Sequence, residues 1–364
     1  MTMMEKKKIS KKDVAEILKE MGQSQSFRKN LVYMDHFWFF STYFSDYISY
    51  PIEWFHEEWL KLTQELPEKL IVIMAAREMG KSTIVGISYA LWSVIGQQQK
   101  KLVVIVGQTK AQARTLFDNI CRQLESNQQL INDFGPFQIG RDDRGSNFIE
   151  LPRQKARIMM AASTQKIRGL SYGPTRPDLI ICDDLEDSMS VMHKAEREKL
   201  WQWFVGDVLT LGHANTNIFV LGNLLHCDSF MMKLKTAIDE KKYHGVFRAY
   251  PLLDDNGAIV WPGKFPDAAS VEEFKDTIFN QGIWQREYLL DWDEKLSAPG
   301  TEIEPAGLWP ITVCRRSEVE KVTEKPTKEY RVHCPLPGEE YQITAPHIIR
   351  DIQRIVIYRY EDKK

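Results

Sequence analysis

The 364 residues carry 48 Lys and Arg against 50 Asp and Glu, a net charge of -2, with 43% hydrophobic and 11% aromatic residues. Such a composition supports buried cores, leaves room for about two domains, and excludes disorder as the dominant state. The near-neutral balance also excludes nucleic-acid binding through overall charge, so any DNA contact requires a local basic surface or several subunits acting together.

In chain order, the N-terminal MTMMEKKKISKKD is basic with no apolar run behind it, so a cleaved signal is not expected. Residues 6–21 predict a short charged helix with Val14, Ile17, Leu18 and Met21 on one face, a docking arm. Residues 31–44 are the most apolar early stretch, yet they include Asp35 and His36 and are too short to span a bilayer. They predict an aromatic-rich buried helix or an interaction surface and no membrane role. The aromatic, helical region continues to residue 62, broken at Pro51, where PIEWFHEEWLKL is expected to start a new helix with proline in its first turn. Residues 70–76 then read as an apolar strand, and residues 80–95 as a helix with Ile84, Ile87, Leu91 and Val94 at helical spacing. A second strand (102–107) and a second helix (109–124) repeat the unit, the alternation of a parallel α/β sheet.

Beyond Asn127 comes a polar stretch with Arg141, Asp142, Asp143 and Arg144, then candidate strands at 148–151 and 156–161. A loop rich in Gly, Pro and Arg (167–177) leads into a short apolar strand at 179–182 that ends in Asp183-Asp184. A helix (195–211) and another apolar strand (217–221) follow, describing one doubly wound domain to about residue 250. A helical stretch is expected near 271–291, and after Ser297-Ala298-Pro299-Gly300 the chain turns to short β-prone pieces. The expected organisation is a helical arm or lid (1–48), an ATPase-type core (49–250), a helical closing subdomain (251–297), and a linker with a small β segment (298–364). The five cysteines, Cys121, Cys182, Cys227, Cys314 and Cys334, are odd in number and lack a CxxC pair. This spacing argues against a disulfide framework or a zinc site and fits a reducing cytoplasm.

Residues 75–82, AAREMGKS, partly match the phosphate-loop pattern GxxxxGK[ST]. Gly80, Lys81 and Ser82 match, while Ala75 stands where the first glycine belongs. In that pattern backbone N–H groups wrap phosphate oxygens, the lysine reaches the β- and γ-phosphates, and the hydroxyl binds Mg²⁺. The context fits, because an apolar strand enters and an amphipathic helix leaves with its N-terminus toward the anion. The alternative is an ordinary glycine-bearing strand-to-helix turn. The complementary half of an ATPase site is a set of carboxylates at the end of an apolar strand, and Asp183, Asp184, Glu186 and Asp187 supply it. Asp183 is the expected Mg²⁺ residue; Asp184 and Glu186 compete for the catalytic role. The alternative there is an acidic helix N-terminus. Arg77 inside the loop reads either as a charge-stabilising arginine supplied by the same chain or as an ion pair with Glu78 or another acid. Arg168 is a weaker candidate, and Arg141, Arg144 and Arg153 are candidates for donation to a neighbouring subunit.

These residues together resemble the large terminase subunit of tailed bacteriophages, the DNA-packaging motor ATPase. Pro51 to His56 resembles that family's adenine-contacting motif, and Arg77 to Thr83 its arginine-bearing phosphate loop. VIVGQTKAQA (104–113) is similar to its helicase-type motif, and Ile167-Arg168-Gly169 with residues 176–186 to the stretch ending in the acidic motif. Residues 219–223 and His226-Cys227-Asp228-Ser229 resemble the coupling motif, with Asn223 where the family often has Thr. Tyr250-Pro251-Leu252, Trp261-Pro262 and residues 285–290 are similar to the segment closing the ATPase half. The resemblance covers about residues 50–295. It implies a P-loop NTPase fold of the RecA/ASCE type and Mg²⁺-dependent ATP hydrolysis coupled to moving double-stranded DNA into a procapsid. Implied partners are the portal protein, the small terminase subunit and further copies of the chain in a ring, usually a pentamer, in the host cytoplasm. Implied nucleotide contacts are Phe55, His56, Arg77, Glu78, Met79, Gly80, Lys81, Ser82, Thr83 and Asn223. The family normally continues into an RNase-H-like nuclease domain. About 70 residues after Asp291 are too few for one, so the expectation is an ATPase module without its own complete nuclease, residues 355–360 reading as the first strand of such a fold. Competing readings are another P-loop DNA helicase or remodeller, which would call for a second RecA-like core, and a degenerate nucleotide-binding interaction protein.

Overall fold

The computed structural model describes residues 11–137, 146–292, 330–332 and 357–359. The expected sites at Arg141 and Arg144, the first ten residues, and most of the expected C-terminal β segment lie outside the described residues.

Seven strands form the main sheet: β1 (Leu70–Ala75), β2 (Leu102–Gly107), β3 (Phe148–Leu151), β4 (Ala156–Ala162), β5 (Leu179–Asp183), β6 (Asn217–Gly222) and β7 (Gly245–Tyr250). Their order is β3-β4-β2-β5-β6-β1-β7, parallel throughout except for the antiparallel β3–β4 pair. A further parallel pair, β8 (Tyr330–Val332) and β9 (Ile357–Arg359), stands in a separate two-stranded sheet. The central strands are apolar at nearly every position because both faces of the sheet are covered. Alternation sorts them: Ile71, Ile73, Val103, Ile105, Leu179, Ile181, Phe219 and Leu221 join one buried cluster. Leu70, Val72, Met74, Leu102, Val104, Val106, Ile180, Cys182, Ile218 and Val220 join the other. β7 is the strand the hydrophobic pattern does not announce. It lies at the sheet edge, and its Arg248 Nε donates to Glu58 at 3.0 Å, so a half-polar strand suffices there.

On the first face lie α1 (Lys11–Gln23), α2 (Gln25–Met34), α3 (His36–Tyr43) and α4 (Trp54–Glu65). They are joined by the π-helical Ser82–Tyr89, continued by α5 (Ala90–Ile95), and by α6 (Lys110–Ser126) and α7 (Gln128–Phe134). Phe37, Trp38, Phe39, Phe40, Tyr43 and Phe44 are buried in the same cluster as the sheet, so the aromatic run of residues 31–44 is core rather than an exposed surface. Arg28 adds a buried ion pair, with Nη2 2.7 Å from Asp133 Oδ1. On the second face are α8 (Lys194–Trp203), a π-helical turn (Phe204–Val208) and α9 (Phe230–Asp239). The chain then closes through α10 (Ala268–Asp276), α11 (Gln281–Ile283) and the π-helical Trp284–Tyr288. Among the described residues no helix is long and apolar enough to cross a membrane.

The start of α4 corrects the expectation for Pro51. The helix begins at Trp54, with Glu53 as N-cap, because the Glu53 N–H donates to His56 Nδ1 at 3.0 Å and closes a capping box. Pro51 therefore precedes the helix instead of opening its first turn.

His36 ties α3 to the helix behind the phosphate loop. Its Nδ1 is 2.7 Å from Thr63 Oγ1 and its Nε2 is 3.0 Å from Ser88 Oγ, while the ring stacks on Trp92 with centroids 5.1 Å apart. Because the Thr63 hydroxyl donates to Leu60 O at 2.7 Å, Nδ1 is the protonated nitrogen and Nε2 accepts from Ser88. Burial pushes the His36 pKa down to about 3. The unfolded chain then binds the extra proton between pH 6.5 and 3, so this contribution to stability is complete above pH 6.5 and is lost as the pH falls through that window. His36→Asn is expected to be less stable than wild type at pH 7.5 but to lose less stability between pH 6.5 and 4, where each pH unit is worth up to about 1.4 kcal/mol. Urea unfolding across that range checks it, and parallel pH profiles for the two proteins would exclude His36 as a source.

Candidate functional site

The sheet order places β6 between β1 and β5, and all three are parallel. Their C-terminal ends open side by side, the usual ligand edge of an open α/β sheet. Three loops meet there: residues 76–81 after β1, the acids after β5, and Asn223 after β6. They line a cleft of about 670 Å³ that contains Arg77 to Ser82, Asp184, Asn223 and Glu287.

The phosphate-loop shape comes from its backbone. Glu78 (φ 64°) and Gly80 (φ 85°) are both left-handed, which folds the loop over before the helix starts at Ser82. Ala75, where the pattern has glycine, ends β1 fully buried, and the next N–H, that of Ala76, donates to Tyr250 O at 2.9 Å. Alanine fits because this position continues the strand. His56 braces the loop from beneath. Its Nδ1 accepts from Glu53 N–H, so Nε2 carries the proton and donates to Met79 O at 3.0 Å. Burial lowers its pKa to about 3, which keeps that neutral tautomer.

Lys81 is buried, with Nζ 2.6 Å from Asn223 Oδ1 and 3.5 Å from Asp184 Oδ1. Asn223 Nδ2 in turn donates to Glu287 O at 3.4 Å. Ser82 Oγ donates to Asp183 Oδ1 at 3.0 Å. Burial and the neighbouring Asp184 carboxylate raise the Asp183 pKa, opposed by Lys81 and the Ser82 bond. A hydroxyl and a carboxylate oxygen 3.0 Å apart match the spacing of adjacent ligands around an octahedral cation with bonds of about 2.1 Å. Among the described residues no cluster of three or more His, Cys, Asp or Glu could hold a metal. The Ser82–Asp183 pair could offer two oxygens to a hard cation such as Mg²⁺, which takes one or two protein oxygens and fills its remaining positions with phosphate and water.

The two competing carboxylates have different surroundings. Asp184 is half-exposed in the cleft, holds a left-handed φ of 45°, and donates its N–H to Leu221 O at 3.1 Å. Glu186 is turned to α9, where both carboxylate oxygens accept the Phe230 N–H at 2.8 Å beside the N-cap Ser229. Burial pushes its pKa up to about 7. Asp187 is also engaged in the loop, accepting from the N–H groups of Met189 and Ser190 at 2.7 Å and from the Gln108 side chain.

Arg77 pairs through Nε with Glu287, not with Glu78. Glu78 instead accepts from Lys264 Nζ at 2.8 Å. Burial raises the Glu287 pKa, opposed by Arg77, Arg286 and Lys81. Sequence reasoning did not single out Glu287 or Lys264; the only signal was that Glu287 falls in a segment resembling the closing motif and Lys264 just after another. Thr83 and Met79 both line the cleft, Met79 as a buried residue whose carbonyl is bonded by His56. Phe55 corrects an expectation: it is fully buried against His56, Trp59, Tyr250 and Trp261 and does not line the cleft. Tyr50 and Trp261 are aromatic residues at that end, edge to face at 5.6 Å. Arg168 is not among the residues lining the cleft. Its Nε pairs with Asp207 and its Nη2 donates to Gly206 O at 3.2 Å. Arg153 is exposed and donates to Gly135 O.

No protein-family model matches the sequence, and no curated protein matches it. Among solved structures, the large terminase of bacteriophage HK97 is similar at a TM-score of 0.49 and 12% identity, over 73% of this chain and 55% of that one. The large terminase of a thermophilic bacteriophage in complex with ADP gives 0.45 and 12%, over 66% and 53%. The same thermophilic phage protein in complex with ATP-gamma-S gives 0.43 and 13%, over 66% and 53%. The chain thus spans about half the length of these structures. At such scores the likeness is one of outline, and the chemistry rests on this chain's own side chains.

His56→Phe keeps a planar aromatic ring, somewhat larger than imidazole, but removes both hydrogen bonds, leaving Met79 O and Glu53 N–H without the imidazole. It is expected to cost about 2–6 kcal/mol in urea unfolding, by about 1–3 for each of the two groups left unpaired. Wild-type stability in this variant would show that the imidazole does not brace the loop.

Proposed function

We propose that the chain is the ATPase portion of a DNA-translocating motor of the large-terminase type. The observation that carries the reading is the convergence of Lys81, Asn223 and Asp184 with the Ser82–Asp183 pair at one sheet edge. Asp183 follows Ser82 by 101 residues and Asn223 follows Lys81 by 142, and the order of motifs along the sequence resembles that family's.

Bound Mg·ATP supplies phosphates whose negative charge the site must stabilise as the γ-phosphoryl group is transferred to water. Lys81 provides a charged donor beneath the loop, while loop N–H groups at the helix start favour the anion. Ser82 and Asp183 are the residues that would hold Mg²⁺. Asp184, half-exposed and 3.5 Å from Lys81, is the carboxylate proposed to polarise the attacking water, since Glu186, which also lines the cleft, accepts the Phe230 N–H of α9. Arg77 stands at the cleft as the charge-stabilising arginine of the same chain. The Tyr50–Trp261 end of the cleft takes the base in place of Phe55. Asn223, joined to Lys81 and to Glu287 O, connects the phosphate end to the closing segment.

Double-stranded DNA, the portal protein, the small terminase subunit and a ring of copies are the partners proposed for the motor. A ring tolerates a net charge of -2 per chain when basic side chains of several subunits face one channel, because phosphate contacts need no base sequence.

Mg·ATP turnover measured with and without linear double-stranded DNA tests this. Lys81→Ala and Asp183→Ala are each expected to lower turnover about 100-fold or more. Turnover that survives both would remove the site, and nucleotide binding without any turnover would favour an interaction protein. Asp184→Asn and Glu186→Gln separate the two carboxylates: the first is expected to abolish most turnover at unchanged stability, the second to lower stability and leave kcat within about threefold. The reverse pattern would assign the water to Glu186.

A further inference from the structure

Glu287 is a deeply buried carboxylate at the cleft, 2% exposed, yet no motif assigns it a task. Three contacts converge on it. Its carboxylate pairs with Arg77 Nε. Its main-chain oxygen accepts the Arg77 N–H at 3.0 Å and the Asn223 amide at 3.4 Å. Through Asn223 the same residue orients the oxygen that holds Lys81 at 2.6 Å. Both cations of the phosphate loop are therefore placed by one residue that follows them by about 200 positions in sequence.

The carboxylate and the main-chain oxygen do different things. The main-chain oxygen fixes the loop backbone and the Asn223 amide whatever the side chain is. The carboxylate acts on the Arg77 guanidinium, which is otherwise half-exposed on a flexible stem. A guanidinium offers five donors, and an acid paired at Nε does not occupy the four on the terminal nitrogens of Arg77, a residue that lines the cleft. Holding it in one orientation removes rotamer freedom before any anion arrives.

We infer that Glu287 is a positioning residue that acts through Arg77, setting the guanidinium for the phosphoryl group as charge develops on it. The inference rests on the ATPase reading given above. A residue of this kind governs the chemical step more than nucleotide affinity, because an orientation matters most where charge is greatest. It also makes the segment 281–288 a structural part of the phosphate site.

The test is a double-mutant cycle on Glu287→Gln and Arg77→Ala, reading steady-state ATPase and, separately, equilibrium binding of a fluorescent ATP analogue. Glutamine keeps the shape and the main-chain oxygen, removes the charge and replaces one acceptor oxygen by an NH2 donor. Glu287→Gln is expected to lower kcat about 10-fold or more while the dissociation constant of the analogue changes less than about threefold. In the Arg77→Ala background the same substitution is expected to change kcat by less than about twofold, since its target is gone. Glu287→Asp is expected to restore part of the rate. Equal losses with and without Arg77, or a wild-type kcat in Glu287→Gln, would overturn the inference while leaving the ATPase reading intact. A wild-type protein no more active than Lys81→Ala would overturn both.

Discussion

The arrangement of the whole site depends on the parallel pairing of β1, β6 and β5. Parallel strands bring their C-terminal ends to one edge, and burial of both sheet faces forbids the loops from leaving by any other route. A one-residue slip of β5 against β6 would turn Cys182 and Ile181 to the wrong clusters, so the register that packs the core also sets Asp183 beside Ser82. Core packing and chemistry are in this sense one constraint.

The second organising feature is main-chain rather than side-chain. The phosphate loop hangs on segments that follow it by well over 150 residues: Ala76 N–H on Tyr250 O, and Arg77 N–H on Glu287 O. Tyr288 O holds Leu252 N–H in turn at 2.8 Å. Beneath, His56 bonds the loop to the N-terminus of α4. The loop is thus bounded on both sides by buried partners, and the cations it carries inherit that rigidity. Buried polar groups that are fully paired have this effect in a low-dielectric interior.

What the sequence made legible follows the range of the interaction. Strands β1, β2, β5 and β6 are runs of four or more apolar residues, and the phosphate loop and acidic pair sit immediately after such runs, so local pattern alone finds them. The pairing of Ser82 with Asp183 needed only the assumption that those strands lie in one sheet, whereas the Lys81–Asp184 contact came from the structure alone. Glu287 and Lys264 escaped because their partners, Arg77 and Glu78, are distant in the chain and an acid or lysine in a mixed helical segment has no pattern of its own. Phe55 was misread for a related reason: an aromatic next to a site residue looks the same in sequence whether it faces the cleft or the core, and Trp59, Tyr250 and Trp261 draw it inward. Pro51 marked the right region, but the Glu53–His56 capping box, not proline, starts α4. β7 was missed because edge strands need bury only part of themselves.

The left-handed backbone at Asp184 bears on which acid can occupy that position. Short side chains that bond locally, Asp and Asn, tolerate this conformation far better than longer ones. With the Asp184 N–H held by Leu221 O, the chain has little freedom to relax it. The carboxylate there is consequently one methylene shorter than a glutamate would be, a reach reduced by roughly 1.5 Å, about one carbon–carbon bond. If Asp184 polarises the attacking water as proposed, that water would lie closer to the end of β5 than a glutamate would hold it, and the phosphate it attacks would sit correspondingly deeper toward the sheet.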